Sequence, residues 1–392
     1  LIKRLLIEAV FATAVVFGVM GLIASIPLNI GALQPLDAAV EDFDMVDLYY
    51  SQLKGSEGHF SKNVIIVNIG DAGRAEIAEL IEIVSEGQPA AVGIDIFFDG
   101  TRGDYGDSLL ASALSENPNV VMATFFDGTS GIKASAPEFH SGLTGFANFV
   151  GDDPRFSTIR EFSPTLNFGD FAVNSLSVQL AKLAQPGKAE AFLKRSKAVE
   201  EIKFMGNLDA FLFLEKDQVL NFEVDPEIFE GKVVLIGFMG NTIGDAYNVE
   251  DRFFTPMNEK ISGRSLPDMN GIVIHANIIE MILTENWING MPPRVKVLVS
   301  VLITYFHVLL YMFLILKWEL YFDALSKILQ ILSIIIMVYI VFLAFHYQNF
   351  RLDITLGLLG VALAADVLFV YEAIVNTIYK RFGWKSILIE EE

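Results

Sequence analysis

The sequence predicts an α/β extracytoplasmic domain with a mainly parallel sheet, plus a four-helix transmembrane region. Three observations predict it. Four apolar runs stand at residues 5–26, 295–316, 328–346 and 354–379. Each is about long enough to cross a ~30 Å hydrocarbon core, which takes roughly 20 residues of helix. The long stretch between the first two runs has the balance of an ordinary water-soluble domain. Within it, continuous apolar runs alternate with segments of helical periodicity, the pattern of buried parallel strands joined by right-handed crossovers.

The organisation reads as an N-terminal span (1–26), a linker (27–62), a soluble domain (63–290) and three further spans with a short tail (291–392). The first run is longer than the roughly 7–15 apolar residues of a signal peptide and lacks a small-residue cleavage pattern, so it reads as an uncleaved anchor. The chain begins at Leu1, and a few residues are expected upstream. The linker opens on Pro27 and carries the acidic stretch EDFDMVD (41–47), where a short amphipathic helix fits.

Then NVIIVNI (63–69) reads as a buried strand and AEIAELIEIVSEG (75–87) as a helix stopped by Gly87. AAVGIDIFF (90–98) is a second strand, DSLLASALSEN (107–117) a second helix, and VVMATFF (120–126) a third strand. The Gly-, Pro-, Ser- and Phe-rich segment 127–170 reads as loops with an irregular hairpin. FAVNSLSVQLAKLA (171–184) reads as a helix, and 185–203 as a polar connection. FLFLE (211–215) and VLNFEV (219–224) suggest a hairpin, GKVVLIGFM (231–239) a buried strand, and 271–284 a last helix before Trp287 and Pro292–Pro293.

Charge is concentrated in the soluble part. The chain has a net charge of −20, and residues 27–292 hold 18 Lys+Arg against 39 Asp+Glu. Nucleic acid and anionic lipid would be repelled by such a domain. Two readings stay open: simple solubility, or a basic or metal-ion partner. There is no cysteine, so disulfides, thiol catalysis and Cys-type zinc sites are excluded. With four spans both termini share a side, and Lys3, Arg4, Lys317, Lys327, Lys380, Arg381 and Lys385 flank it, against Arg294, Lys296 and Arg351 on the other. That bias places the termini in the cytoplasm and the domain outside, periplasmic in a cell with two membranes, with the spans in the bacterial inner membrane. Trp318 and Trp384 fall near the cytoplasmic boundary, where aromatic rings anchor spans.

Several segments, in order, resemble an extracellular sensory domain called CHASE, type two. NVIIVNIGD (63–71) and AAVGIDIFFDG (90–100) are similar to its first two strands, each closing on Asp. DSLLASALSENPNVVMATFF (107–126) resembles its Asp-led helix and following strand, and FEGKVVLIGFMG (229–240) a strand near its end. GDAYNVEDRFFTP (244–256) keeps an Asp and a Thr-Pro, with extra residues between, and GIVIHANIIEMIL (271–283) resembles its Gly-x-x-x-His-Ala-Asn helix. The resemblance implies a receptor-like domain with one span before it and three after, followed in relatives by a kinase or cyclase module. Here Gly73 and Arg74 replace a Ser and an apolar residue, and only a short tail follows the last span. The expectation is that any signal leaves through a separate protein.

Ligands of parallel sheets sit at the carboxyl ends of strands. Asp71, Asp95 and Asp99 fall at or just past such ends, and Gly237 and Asp245 follow another. These carboxylates could gather a Ca²⁺, a Mg²⁺ or a cationic ligand, or could cap helices and turns as Asp commonly does. No metal site and no cofactor is assigned. His275, inside an apolar helix, reads as a hydrogen-bonded core residue or as a ligand-binding or pH-sensing one. Asn277 is expected to satisfy backbone groups. No nucleophile motif, HExxH pair or phosphate loop occurs, so enzyme activity is not expected.

In the spans, His307 and Asp366 lie at similar depth and are expected to pair, the alternatives being a protonated Asp366 or one paired with a co-subunit; Glu372 lies deeper. Gly357, Gly360 and Ala364 should let a neighbouring helix pack closely. The function expected is a membrane-anchored sensor that binds a periplasmic ligand or protein and relays its state to another membrane or envelope protein. The alternative is a non-enzymatic structural subunit of a larger envelope complex.

Overall fold

The computed structural model describes residues 2–25, 45–53, 60–127, 131–139, 142–150, 157–168, 171–241, 250–258, 266–384 and 386–388. Two compact units emerge: residues 36–288, and residues 1–35 together with 289–392.

The first unit is built on a seven-stranded sheet. Its strands are β1 (Val64–Asn68), β2 (Ala91–Asp95), β3 (Val120–Asp127), β4 (Gly131–Lys133), β5 (Leu143–Phe146), β6 (Leu212–Glu215) and β7 (Val233–Gly237). The order is β6-β1-β7-β2-β3, with β5 and β4 both on β3. All neighbours are parallel except β4, which runs antiparallel to the end of β3. The crossover from β1 to β2 therefore skips a place that β7 fills later.

Helices α1 (Arg74–Glu86) and α2 (Tyr105–Glu116) cover one face. There Ile77, Leu80, Ile81, Val84, Leu110 and Leu114 pack on Ile65, Val67, Val92, Ile94 and Val120. The alternating residues of the strands look the other way, toward α3 (Leu176–Ala184) and α6 (Gly271–Leu283), and α4 (Pro186–Leu193) packs on those two helices. Side chains are missing where these helices come closest. A Cβ on Gly93 would lie 2.6 Å from Leu180 Cδ1, and one on Gly237 2.8 Å from Ile272 Cδ1. Every residue of α6 is buried, as befits a helix with apolar residues all round.

Four readings of the chain change, the first being that the polar connection 185–203 contains the helix α4. FLFLE and VLNFEV do not form a hairpin: Leu212–Glu215 joins β1 in parallel, and α5 (Lys216–Leu220) follows at once. Residues 171–174 are not helical but pair antiparallel with Thr165–Phe168. The helix starts only after Ser175, whose side chain accepts from the Val178 amide. Within the stretch read as loops, Leu143–Phe146 is a true sheet strand. In the linker, a four-residue helix (Met45–Leu48) and a π turn (Tyr49–Leu53) are described; the rest of 26–59 lies outside the described residues.

The second unit holds four long apolar helices: Ile2–Ala24, Pro293–Trp318, Phe322–Gln348 and Thr355–Phe382. Their length and composition are enough to cross a membrane. The second and third are separated only by the 3-10 turn Glu319–Tyr321. They run antiparallel, because Asn289–Gly290 ahead of one pairs with Phe350–Arg351 beyond the other. The second and fourth pack along small residues, as expected. A Cβ on Gly357 would lie 3.3 Å from Ser300 Cα and one on Gly360 2.1 Å from Thr304 Oγ1, and Ala364 is fully buried.

Candidate functional site

At the carboxyl edge of the sheet, β1 ends on Asn68, which is fully buried. Its Nδ2 donates to Glu215 Oε2 (2.8 Å) and to the Gly240 carbonyl (3.0 Å), while its Oδ1 accepts from the Met239 (2.8 Å) and Gly70 (3.2 Å) amides. One side chain thus ties together the ends of β1, β6 and β7. The sequence held a signal for it, a lone amide closing the apolar run VIIV, but the aspartates drew the attention.

Asp71 is drawn to one side of this edge. Lys216 Nζ lies 2.7 Å from its Oδ1 and 3.2 Å from Glu76 Oε1. The hydrogen bond and charge of Lys216 hold the Asp71 carboxyl below its ordinary range. Glu76 in turn accepts from the Gly73 amide (2.8 Å) at the start of α1, which is a capping role.

Asp99 is exposed in the loop after β2. That loop is held by a buried ion pair between Arg74 and Asp107. Asp107 also accepts from the Arg102 (2.5 Å) and Gly103 (2.7 Å) amides, and Arg74 donates to the Gly100 carbonyl (2.7 Å) while covering the Phe139 ring at 4.9 Å. Burial works to raise the Asp107 carboxyl, but Arg74 and the two amides outweigh it and hold it low.

Asp95 is the last residue of β2 and lies in register with Gly237 of β7. It faces the α6 side of the sheet, like Gly93 two residues before. Beyond it stands Asp251, which the reading of single aspartates passed over although it lies inside the quoted segment GDAYNVEDRFFTP. Asp251 has φ +53, and its carbonyl accepts from the Gly271 amide (3.0 Å) at the start of α6. A Cβ on Gly271 would come within 3.2 and 3.3 Å of the two Asp251 carboxylate oxygens, so the carboxylate lies close against the start of α6.

Solvent reaches Asp251 and part of Asp95, although protein crowds around both. Desolvation raises the Asp95 carboxyl, partly offset by His275. Asp251 is pushed up to about 8, by desolvation first and then by the charges of Asp95 and Glu250. Both carboxyls thus bind a proton, or a cation in its place, more readily than an ordinary Asp.

His275 lies behind this pair and is buried. Its Nδ1 is 2.9 Å from Ser177 Oγ, its ring hydrogen-bonds the Ala147 backbone, and Phe149 lies over it at 4.8 Å between ring centres. Desolvation lowers its pKa against the pull of Asp95. It is a hydrogen-bonded core histidine whose field reaches Asp95. Asn277, two residues on and nearly opposite on α6, accepts from the Met205 amide (2.7 Å) and donates to the Gly206 (3.0 Å) and Val273 (2.9 Å) carbonyls.

Of the predicted ligand set, then, Asp95 and His275 come together, Asp71 belongs to Lys216, and Asp99 lies apart. Asp245 lies outside the described residues. No group of three His, Asp or Glu among the described residues could hold a metal ion.

The predicted contact between His307 and Asp366 is not formed. Asp366 binds Lys327, whose Nζ is 2.8 and 3.0 Å from its two oxygens. His307 Nδ1 turns back to the Ile303 carbonyl of its own helix (2.8 Å). Shared depth is not a shared face. The fourth span meets the second along Gly357, Gly360 and Ala364, and Asp366 lies about 200° round the helix from Ala364 at about 100° per residue. Glu372 is half-buried. An acid not singled out from the sequence, Glu8 of the first span, is buried and accepts from Ser386 Oγ (2.5 Å) and the Ile387 amide (3.0 Å).

A family profile described as the CHASE2 domain matches residues 15–316. No curated protein and no solved structure matches the chain.

Proposed function

The chain belongs to the CHASE2 domain family, an extracellular and sensory rather than catalytic one, and from that premise we propose that it is a membrane-anchored sensor. Its domain binds a ligand, or a segment of a protein, that carries a positively charged group. The spans hand the resulting state to a partner protein. The observation that carries the reading is the placement of Asp251 and Asp95 at the carboxyl edge of β2 and β7, against the start of α6. Ligand bound there would touch the start of α6, a fully buried helix packed on β1, β7 and α3, so occupancy could shift its packing. In this reading the termini are cytoplasmic and the domain lies outside the inner membrane.

The test is a thermal-shift screen of the full chain in mild detergent against amines, basic peptides and divalent cations. A hit should stabilise the parent and not Asp251→Asn or Asp95→Asn. If every stabilising compound acts equally on all three chains, the site is elsewhere.

One observation favours the second reading, a structural subunit of an envelope complex: the ion pair Lys327–Asp366 stands half-exposed on the surface of the helical unit. Purification from native membranes in mild detergent, with mass and composition determined, separates the two. A fixed stoichiometric set of envelope proteins, together with no ligand response at Asp251, would favour the subunit.

A further inference from the structure

Many polar residues of the helical unit are turned inward, and its one inter-helix charge pair within the spans stands out against them among the described residues. Thr13, Ser300, Thr304, Ser326 and Gln330 are buried, and Glu8 is buried with them. Thr13 donates to the Ala9 carbonyl (2.7 Å), Thr304 to that of Ser300 (2.9 Å) and Gln330 to that of Ala362. Intramembrane polar groups belong inside in this way, because lipid cannot satisfy them.

Lys327 and Asp366 do the opposite: their side chains are 51% and 58% exposed. A lysine near a helix end can reach for the headgroups. Lys327 is the sixth residue of its helix, about 8 Å in at 1.5 Å per residue, yet its ammonium is engaged with both oxygens of Asp366. Asp366 has no such escape. It is the twelfth of 28 residues in the last helix, and its side chain is short. The rim around the pair is apolar and open: Ile328, Ile331, Phe369 and Val370 are all exposed. A charge pair ringed by hydrocarbon fits neither water nor lipid.

We propose that the face of the third and fourth spans centred on Lys327 and Asp366 is the docking surface for a transmembrane helix of a partner protein. That helix carries an amide or hydroxyl side chain at the depth of the pair. The chemistry follows from what the pair leaves unused. Lys327 has a further N–H and Asp366 has further lone pairs, so the face offers a donor and acceptors side by side. An amide matches both at once, and the pair is already neutral, so no third charge is called for. The proposal rests on the apolar helices lying in a bilayer, and it is independent of what the soluble domain binds.

The experiment places a photo-crosslinking phenylalanine analogue at Val370, beside the pair, and in a second chain at Phe306, an exposed residue of the second span. Both are irradiated in native membranes, with and without the double change Lys327→Leu and Asp366→Leu. The expected result is a heterologous adduct of defined mass at 370 and none at 306, with the 370 adduct falling at least tenfold in the double variant. The partner peptide recovered should carry Asn, Gln, Ser or Thr within a transmembrane helix. Lys327→Arg, which keeps the pair, should retain the adduct, and an unchanged elution volume and melting profile would show that the double variant is folded. Adducts to lipid alone at 370 would overturn the proposal. So would an adduct to a second copy of the chain, or a partner adduct indifferent to the double change.

Discussion

An aspartate with a folded pKa near 8 makes a directional statement about stability. The unfolded value is about 3.9, so the Asp251 carboxyl binds its proton more tightly when the chain is folded. Its contribution is whole below pH ~4, declines as pH rises through the interval, and is gone above about 8. Asp95, raised by the same burial, has the same sign. Asp107, held low, has the opposite sign: its contribution is present above pH ~4 and fades as pH falls through its depressed folded value. Asp251→Asn cannot ionise, so it should melt above the parent at pH 9, with the gap closing toward pH 5. Melting curves of the full chain in detergent across that range decide it, and a pH-independent gap would refute the assignment. The same residues show what the sequence concealed. Asp95 was legible because it closes a strand. Asp251 was not, because nothing in a linear segment reveals that its carboxylate lies close against a helix that starts twenty residues on. Arg74 looked like a mere departure from the family pattern, and its role appears only with its partner Asp107, on the next helix.

Elements with a single period were read correctly and composite ones were not. The buried strands β1, β2, β3 and β7 are continuous apolar runs, and α1 ends at Gly87 as its spacing implied. The error at 171–184 came from an apolar segment that changes period at Ser175, from a short antiparallel ladder to a helix. The hairpin expected at 211–224 failed because LFLE pairs with a strand far away in sequence, which no local pattern encodes. Gly87 also illustrates how tightly the elements are joined. Its φ is −72°, so it is not needed for backbone freedom. A Cβ there would sit 2.1 Å from the Pro226 carbonyl oxygen and 3.0 Å from Phe229 Cβ. Gly87→Ala should therefore push α1 away from the segment 226–229, at a cost of about 1–3 kcal/mol. Gly187→Ala, in a helix with nothing near the new Cβ, should stay within about 0.5 kcal/mol of the parent. Denaturant titration of the three chains measures both, and equal destabilisation by the two would mean the crowding at Gly87 is not real.

At the scale of the whole molecule, the dominant fact is the excess of acid in the soluble part, 39 Asp+Glu against 18 Lys+Arg between residues 27 and 292. Two electrostatic effects respond to salt with opposite signs. Screening weakens exposed attractive pairs such as Lys216–Asp71, but such pairs are each worth only about 0–1 kcal/mol. Screening also relieves the mutual repulsion of the surplus carboxylates, which acts over the entire surface and opposes compactness. The pair that matters most to the loop after β2, Arg74–Asp107, is buried and barely screened. Repulsion should win, so raising NaCl from 20 to 500 mM, over which the Debye length falls severalfold, should raise the melting temperature of the domain. A gain of about 1 kcal/mol corresponds to roughly 2–4 °C for a domain of this size. Repeating the titration with MgCl₂ and CaCl₂ at matched ionic strength separates diffuse screening from a site. Identical shifts would leave the acidity of the domain as a general field. A larger shift with a divalent ion, abolished by Asp95→Asn, would instead mean that the carboxylates at the strand ends act together on a cation, and would name the chemistry of the ligand the sensor takes.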